Sequence, residues 1–238
     1  MTRLGMLTPS SNTALEPATY GLLRHLPGIT AHFARFPVTE IALSASALGQ
    51  FDAEPILAAA ELLSHAKMDV IAWNGTSASW LGFERDAQLA AAITERTGIR
   101  ATTAILALND ILQRLNAKRI ALVTPYLDDV QGKIIANYQA AGYVCVAERH
   151  AGLQDNFSFA ALSAAEIEAM ITAVAAEQPD AIAIICTNMD ATRLAPRIEA
   201  RTGIPILDSI ACTLWGALRA GGIDATQLTP AGQIFRLC

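Results

Sequence analysis

Residues 3–9 (RLGMLTP) return 116 residues later as residues 119–125 (RIALVTP). Two more pairs of segments repeat in the same order, at offsets of 111 and 105 residues: 68–72 (MDVIA) with 179–183 (PDAIA), and 96–99 (RTGI) with 201–204 (RTGI). A repeat unit of this length corresponds to a whole α/β lobe rather than to a solenoid repeat. The sequence therefore predicts two α/β lobes related by a pseudo-twofold axis, with equivalent strand ends facing each other across a cleft.

Short apolar runs alternate with longer helical stretches along the chain, which is typical of parallel sheets flanked by helices. Strands are predicted at 3–8, 30–37, 69–73, 100–102, 119–124, 143–148, 181–185 and 205–207. Helices are predicted at 13–25, 53–66, 83–97, 103–116, 127–141, 163–177, 191–202 and 209–220. Because no Pro/Ser-rich linker separates the two copies, we expect a discontinuous first lobe, 1–113 plus 208–238, and a second lobe at 114–207.

The composition of the chain limits its partners and its compartment. Its 238 residues carry a formal net charge of −5, which argues against nucleic acid and anionic membranes as partners. No uncharged apolar run approaches the roughly 18 residues of a spanning helix, and the N-terminus enters a predicted strand without a basic and apolar leader. We therefore expect a cytoplasmic protein with reduced thiols. A homo-oligomer is compatible with the sequence.

The sequence contains no pattern that would bind a metal ion or a nucleotide cofactor. The four cysteines form no CxxC pair, and the four histidines share no metal-ligand spacing. Neither GxGxxG nor GxxxxGK(S/T) occurs, which argues against a phosphate-binding loop. We therefore expect a site that works without metal and without cofactor.

Several predicted strands end in polar segments, at 8–13, 74–79, 125–129 and 186–188. Ligands of open parallel sheets bind beyond the carboxyl ends of the strands. Hydroxyls and backbone N–H groups at such ends can bind an anion without any basic residue. Gly75 would let backbone amides approach a ligand closely, so Thr76, Ser77 and nearby amides are predicted to hold a carboxylate. The alternative is that these polar residues only cap helices.

Gly75 and Cys186 stand at equivalent strand ends, 111 residues apart, so the two positions look like a two-thiol site with one thiol missing. Cys186 follows the apolar run 181–185 and comes shortly before a predicted helix, whose N-terminus would lower the pKa of the thiol. The alternative is that Cys186 is a small buried hydrophobe. Cys212 lies in an apolar helical run and is predicted to belong to the core.

Duplicated lobes with a thiol at a mirrored strand end resemble the cofactor-independent Asp/Glu racemase superfamily. Residues 8–17 (TPSSNTALEP) and 123–126 (VTPY) are similar to segments of the maleate cis-trans isomerases. Residues 75–77 (GTS) and 126–130 (YLDDV) instead resemble the arylmalonate decarboxylases, which carry GTS in the first lobe and a single cysteine in the second. The resemblance covers nearly the whole chain. It implies two pseudo-symmetric lobes, each a parallel sheet flanked by helices, with the active site in the cleft between them.

The resemblance also implies roles for individual residues. Cys186 would be the general acid that protonates an enediolate carbon. The implied substrate-binding residues are Asn12, Gly75, Thr76, Ser77, Tyr126, Asn156 and Thr187. Gly75 stands where isomerases and racemases have their first cysteine, which disfavours two-base racemisation and isomerisation by thiol addition. Asn12 and Asn156 depart from the decarboxylase pattern and indicate a substrate more polar than an arylmalonate.

One thiol suffices for decarboxylation. Breaking a C–CO2 bond needs no base, but it needs a desolvated pocket for the leaving carboxylate and donors for the enediolate. The sequence therefore favours cofactor-free decarboxylation of a substituted malonate or similar small dicarboxylate, with Cys186 delivering a proton to one face. The alternatives are an isomerase or racemase of a small dicarboxylate that uses one thiol, and a carboxylate-binding protein without catalysis.

Overall fold

The computed structural model describes residues 1–44, 47 and 49–237. Within these ranges the chain forms two four-stranded parallel sheets with equivalent strand orders, β2-β1-β3-β4 and β6-β5-β7-β8. The first sheet consists of β1 (Thr2–Pro9), β2 (Ile29–Phe36), β3 (Val70–Trp73) and β4 (Ala101–Thr103). The second consists of β5 (Arg119–Thr124), β6 (Val144–His150), β7 (Ala181–Ile184) and β8 (Ile206–Asp208). The shared order confirms the predicted pair of pseudo-symmetric α/β lobes.

Helices flank both sheets. They are α1 (Leu15–Leu23), α2 (Ala53–His65), α3 (Ala78–Leu81), α4 (Glu84–Thr97), α5 (Ala104–Arg114), α6 (Asp128–Ala140), α7 (Ala164–Ala175), α8 (Ala195–Thr202) and α9 (Ser209–Ala220). Short 3-10 helices occur at Phe157–Ala161, Thr226–Ala231 and Gln233–Arg236. Every predicted strand and helix overlaps an observed one, and α3 was not predicted. In the described part of the chain, no helix is both long enough and apolar enough to cross a bilayer.

The predicted helix at 191–202 starts later than expected, at Ala195. Pro196 lies in its first turn, where a missing backbone N–H costs nothing. The residues between Cys186 and Ala195 therefore form a loop rather than the start of a helix. This boundary matters because it removes the helix N-terminus from the neighbourhood of the thiol.

The inner strands β3 and β7 are buried along their whole length. Helices cover both faces of a parallel sheet, so its inner strands are continuous apolar runs, here VIAW and AIAI. The polar residues that follow these runs lie where the strands end.

The helices that follow the last strand of each sheet, α5 and α9, pack against each other. Their approach is close because Gly216 on α9 has no side chain: a Cβ there would lie 2.6 Å from the Cβ of Ala107 on α5. Helix α9 also lies against β3 and β4 of the first sheet. On this packing we propose the boundaries 1–113 plus 208–238 for the first lobe and 114–207 for the second.

Asp86 on α4 is a buried carboxyl that accepts a hydrogen bond from the hydroxyl of Thr103. Burial raises the pKa of Asp86 from 3.8 to about 7, against the opposing effect of that hydrogen bond. A carboxyl with a raised pKa stabilises the fold below its unfolded pKa, and this contribution is lost as the pH rises through the folded pKa. We therefore expect the unfolding free energy of the wild type, relative to Asp86→Asn, to fall between about pH 4 and about pH 7 in urea denaturation.

Asp180 provides the matched control for this prediction. Its carboxylate accepts the backbone N–H groups of Arg119 and Lys118, each at 2.8 Å, and these bonds lower its pKa. Its contribution is present above the unfolded pKa and lost as the pH falls, so Asp180→Asn should give a pH slope of the opposite sign. Parallel pH profiles for the wild type and Asp86→Asn would contradict the prediction.

Candidate active site

The carboxyl ends of β1, β3, β5 and β7 meet in the cleft between the lobes, around a cavity of about 20 Å³. The residues that line it are Pro9, Val38, Ile41, Phe51, Asn74, Gly75, Thr76, Trp80, Tyr126, Asn156, Cys186 and Thr187. A space of this size holds about one water molecule. A dicarboxylate can therefore bind only when the lining side chains or the lobes move apart.

Cys186 lies two residues beyond β7, and 3% of its surface is exposed. Its Sγ accepts the backbone N–H of Asn188 at 3.3 Å. Burial raises the pKa of the thiol to about 12, although the Asn188 N–H and the Tyr126 hydroxyl act in the opposite direction. The prediction that a helix N-terminus lowers this pKa is wrong, because burial dominates and α8 begins only at Ala195. At neutral pH the group is a thiol, able to donate a proton.

A hydrogen bond of 2.8 Å joins the hydroxyls of Thr76 and Tyr126, which come from different lobes. Burial raises the pKa of the Tyr126 hydroxyl well above its ordinary value, so this group stays neutral. Two hydroxyls carry two hydrogens, and the bond between them uses one. The second hydrogen lies within reach of the Cys186 thiol, whose pKa the Tyr126 hydroxyl lowers.

The backbone N–H groups of Gly75, Thr76 and Ser77 donate to no acceptor among the described residues. All three residues are buried. Buried N–H groups are nearly always paired in proteins, so a row of three unpaired donors suits an anionic ligand. The arrangement fits the predicted carboxylate site at this strand end.

Gly75 is in close contact with the indole ring of Trp73. A Cβ at position 75 would lie 2.3 Å from Cζ2 of Trp73 and 2.6 Å from its Cε2, far inside contact distance. Only glycine fits without displacing the ring. The place mirrored to the Cys186 side chain is therefore filled by Trp73.

Asn12 and Thr187 bond to each other across the cleft. Nδ2 of Asn12 donates to the carbonyl of Thr187 at 3.0 Å, while its Oδ1 accepts the N–H groups of Ala14 and Leu15 at 3.1 and 2.9 Å. The Thr187 hydroxyl donates to the carbonyl of Asn74 at 2.8 Å. Thr187 lines the cavity but Asn12 does not. The amide of Asn12 thus holds the loop after Cys186, and its contact with substrate stays a prediction.

Asn156 lines the cavity from the loop after β6, and its Nδ2 donates to the Ser11 hydroxyl at 2.7 Å. Asn188, which the sequence did not single out as a site residue, supports it. The Asn188 side chain donates to the carbonyl of Asn156 at 2.5 Å and accepts the N–H of Thr13 at 2.9 Å. The sequence signal that could have identified Asn188 was its position two residues after Cys186, in the polar segment that follows the strand.

The side chain of Ser77 lies elsewhere. Ser77 lines a separate cavity of about 380 Å³, together with Trp73 and Asp86, and not the cavity of Cys186. Its predicted hydroxyl contact with substrate is therefore not found beside the thiol. What Ser77 offers next to Thr76 is its backbone N–H.

One wall of the cavity is apolar and was not predicted from the sequence. It is formed by Pro9, Val38, Ile41, Phe51 and Trp80. Val38, Ile41 and Phe51 lie outside the regular helices and strands, so no periodicity marked them. Apart from the indole nitrogen of Trp80, the side chains of this wall carry no polar atom.

We expect dialysis against a metal chelator to leave turnover unchanged. No group of three or more His, Cys, Asp or Glu side chains that could hold a metal ion occurs among the described residues. The check is turnover before and after dialysis, with zinc or magnesium then added back. Restoration of lost activity by either ion would contradict the prediction, because it would reveal a ligand set.

The fold and the site together define a class of protein: two equivalent α/β lobes that enclose a buried thiol and a set of unpaired N–H donors. The chain belongs to the arylmalonate decarboxylase family, whose model matches residues 25–235. It is 26% identical over 240 residues to a maleate isomerase of Pseudomonas putida, covering 96% of this chain and 94% of the relative. It is 29% identical over 169 residues to an arylmalonate decarboxylase of Bordetella bronchiseptica, covering 70% of each.

A solved structure of a relative has the same fold. This is a mutant of the Nocardia farcinica maleate cis-trans isomerase with a covalently bound succinylcysteine intermediate. It superposes with a TM-score of 0.89 at 23% identity, covering 99% of this chain and 98% of the other.

Proposed function

We propose that the chain is a cofactor-free decarboxylase of a substituted malonate or similar small dicarboxylate, in which Cys186 protonates an enediolate. Its family and the names of its relatives support an enzyme that acts on small dicarboxylates. The choice of decarboxylation rests on the chemistry of the cavity.

The observation that carries the proposal is a buried thiol in a cavity whose described lining residues include no charged or basic side chain. Burial raises the pKa of Cys186 to about 12, which suits an acid and not a base or a nucleophile. None of the described residues that line the cavity is a carboxylate, a histidine, a lysine or an arginine. Decarboxylation is the reaction of this family that needs one acid and no base.

In the proposed reaction, one carboxylate binds the N–H groups of residues 75–77 and the hydroxyls of Thr76 and Tyr126. The other carboxylate lies against the apolar wall formed by Val38 and its neighbours, where loss of water favours its departure as CO2. The electron pair of the broken C–C bond passes to the bound carboxylate, which becomes an enediolate. Donors already in place stabilise the charge that develops there.

Cys186 completes the reaction by donating its proton to the enediolate carbon. The thiolate left behind then recovers a proton from water, and the enzyme returns to its starting state. Because one thiol approaches from one side, we expect a single enantiomer of the product.

A one-thiol isomerase of a small dicarboxylate is the second candidate. The maleate isomerase relative matches over 96% of the chain and the decarboxylase over 70%, and the amide of Asn156 could bind a second carboxylate. The related isomerase carries a succinylcysteine, and forming such an adduct takes a thiolate, which the raised pKa of Cys186 disfavours. A third candidate, a carboxylate-binding protein, would bind malonates without converting them.

The test is incubation with phenylmalonate, methylmalonate and maleate, followed by CO2 release and by proton NMR in D2O. The proposal expects CO2 from a malonate and one deuterium at the protonated carbon. Conversion of maleate to fumarate without CO2 would establish the isomerase instead. Binding without any product would establish the binding protein.

A further inference from the structure

Two of the three tryptophans carry a buried indole N–H without an acceptor. Nε1 of Trp73 and Nε1 of Trp80 have no hydrogen-bond partner among the described residues, whereas Nε1 of Trp215 donates to the carbonyl of Leu237 at 2.8 Å. A buried donor left unpaired is costly, and such groups are rare in native proteins. Each unpaired indole N–H therefore needs a structural or functional explanation.

A ligand can explain the unpaired N–H of Trp80, because Trp80 lines the cavity of Cys186 and Trp73 does not. Its ring meets Phe51 edge-to-face at 5.8 Å between centroids and Tyr126 at 5.2 Å. Its backbone N–H donates to the carbonyl of Ser77 at 3.1 Å. The two ring contacts hold the indole between Phe51 and Tyr126 in the empty site.

The residues that line the cavity carry several donors without a partner. They are the Trp80 N–H and the backbone amides of Gly75 and Thr76, with the unpaired amide of Ser77 next to them. The unpaired side-chain acceptor among the described lining residues is Oδ1 of Asn74. These donors suit a ligand group that only accepts hydrogen bonds, as an ionised carboxylate does.

We propose that Nε1 of Trp80 donates a hydrogen bond to a carboxylate of the bound dicarboxylate. The inference rests on the proposed function for the class of ligand and adds a substrate-binding residue to it. In the empty site the N–H is unpaired, and binding pairs it with a charged acceptor. We therefore expect carboxylate binding to stabilise the site by giving this N–H an acceptor.

The experiment measures the dissociation constants of phenylmalonate and maleate by calorimetry in a Cys186→Ser parent, which should not turn them over, and in the same parent carrying Trp80→Phe. Losing a hydrogen bond to a charged group should weaken binding about 10- to 100-fold. Site-specific incorporation of 3-benzothienyl-L-alanine at position 80 keeps the shape of the indole and removes only the N–H, so it should give the same loss. The matched control is the same analogue at position 73, which removes an equally unpaired N–H outside the cavity and should change affinity little.

Binding is measured in the Cys186→Ser parent and CO2 release in the wild type, so the two proposals fail separately. If the parent binds phenylmalonate, the change at position 80 weakens this binding as expected and the wild type releases no CO2, only the decarboxylase proposal fails. The role of Trp80 would be overturned if the protein with the analogue at position 80 kept full affinity for the dicarboxylates. It would also be overturned if the analogue lowered the affinity equally at positions 73 and 80. A Cys186→Ser parent that binds neither dicarboxylate, together with a wild type that converts neither, would overturn both proposals.

Discussion

Cys186→Ser is expected to lower the turnover of the malonate substrate by about 10²- to 10⁴-fold, the usual worth of a positioned acid. A serine hydroxyl is a far weaker acid than a thiol, so it cannot deliver the proton that the enediolate carbon needs. The side chains are similar in shape, and we expect the variant to fold normally. CO2 release measures the loss, and circular dichroism with thermal melting checks the fold.

Cys145→Ser is the matched control for this substitution. Cys145 lies on β6, half-buried, and its Sγ contacts the carbonyl of Ala147 at 3.4 Å, away from the cavity. The control should keep wild-type turnover. Retention of more than about a tenth of turnover in Cys186→Ser would rule out Cys186 as the essential acid.

Gly75→Cys is expected to disrupt the site rather than to add a working second thiol. The new Cβ would lie 2.3 Å from Cζ2 of Trp73, so the buried indole must move. Overpacking of this kind typically costs about 1–3 kcal/mol. We expect a lower melting temperature and a large loss of turnover. Gly75→Ala carries the same Cβ and should show the same steric loss.

Replacing Trp73 with the smaller leucine should make room for a thiol at position 75. In the double variant Trp73→Leu/Gly75→Cys, the new thiol would face the reacting carbon from the side opposite Cys186. The variant should form both enantiomers from a prochiral malonate, or exchange the product proton in D2O. The gain should be clearest above about pH 8.5, where an unperturbed thiol ionises.

Trp73→Leu alone is the control for the double variant, because it makes the space without adding the thiol. It should remain stereospecific. If the double variant folds, turns over and stays equally stereospecific with no deuterium exchange, then positions 75 and 186 do not face each other across the substrate.

The elements of the fold were predictable because their signals are local. Strands such as β3 and β7 are apolar runs buried on both sides, and the repeat of these runs in the two halves of the chain predicted two equivalent sheets. Thr76 and Tyr126 were also marked by local signals, because both lie in polar segments that follow a predicted strand. Their meeting at 2.8 Å joins residues 50 positions apart.

The sequence by itself determined that the chain folds as two mirrored lobes and that a cysteine and a glycine occupy equivalent strand ends. Only the tertiary structure decided what surrounds these positions. Asn12 was expected to contact substrate but bonds to Thr187, 175 residues away. The pKa of Cys186 was expected to be lowered, and burial raises it. Orientation and burial depend on contacts between distant segments, and the local periodicity of a sequence carries no information about them.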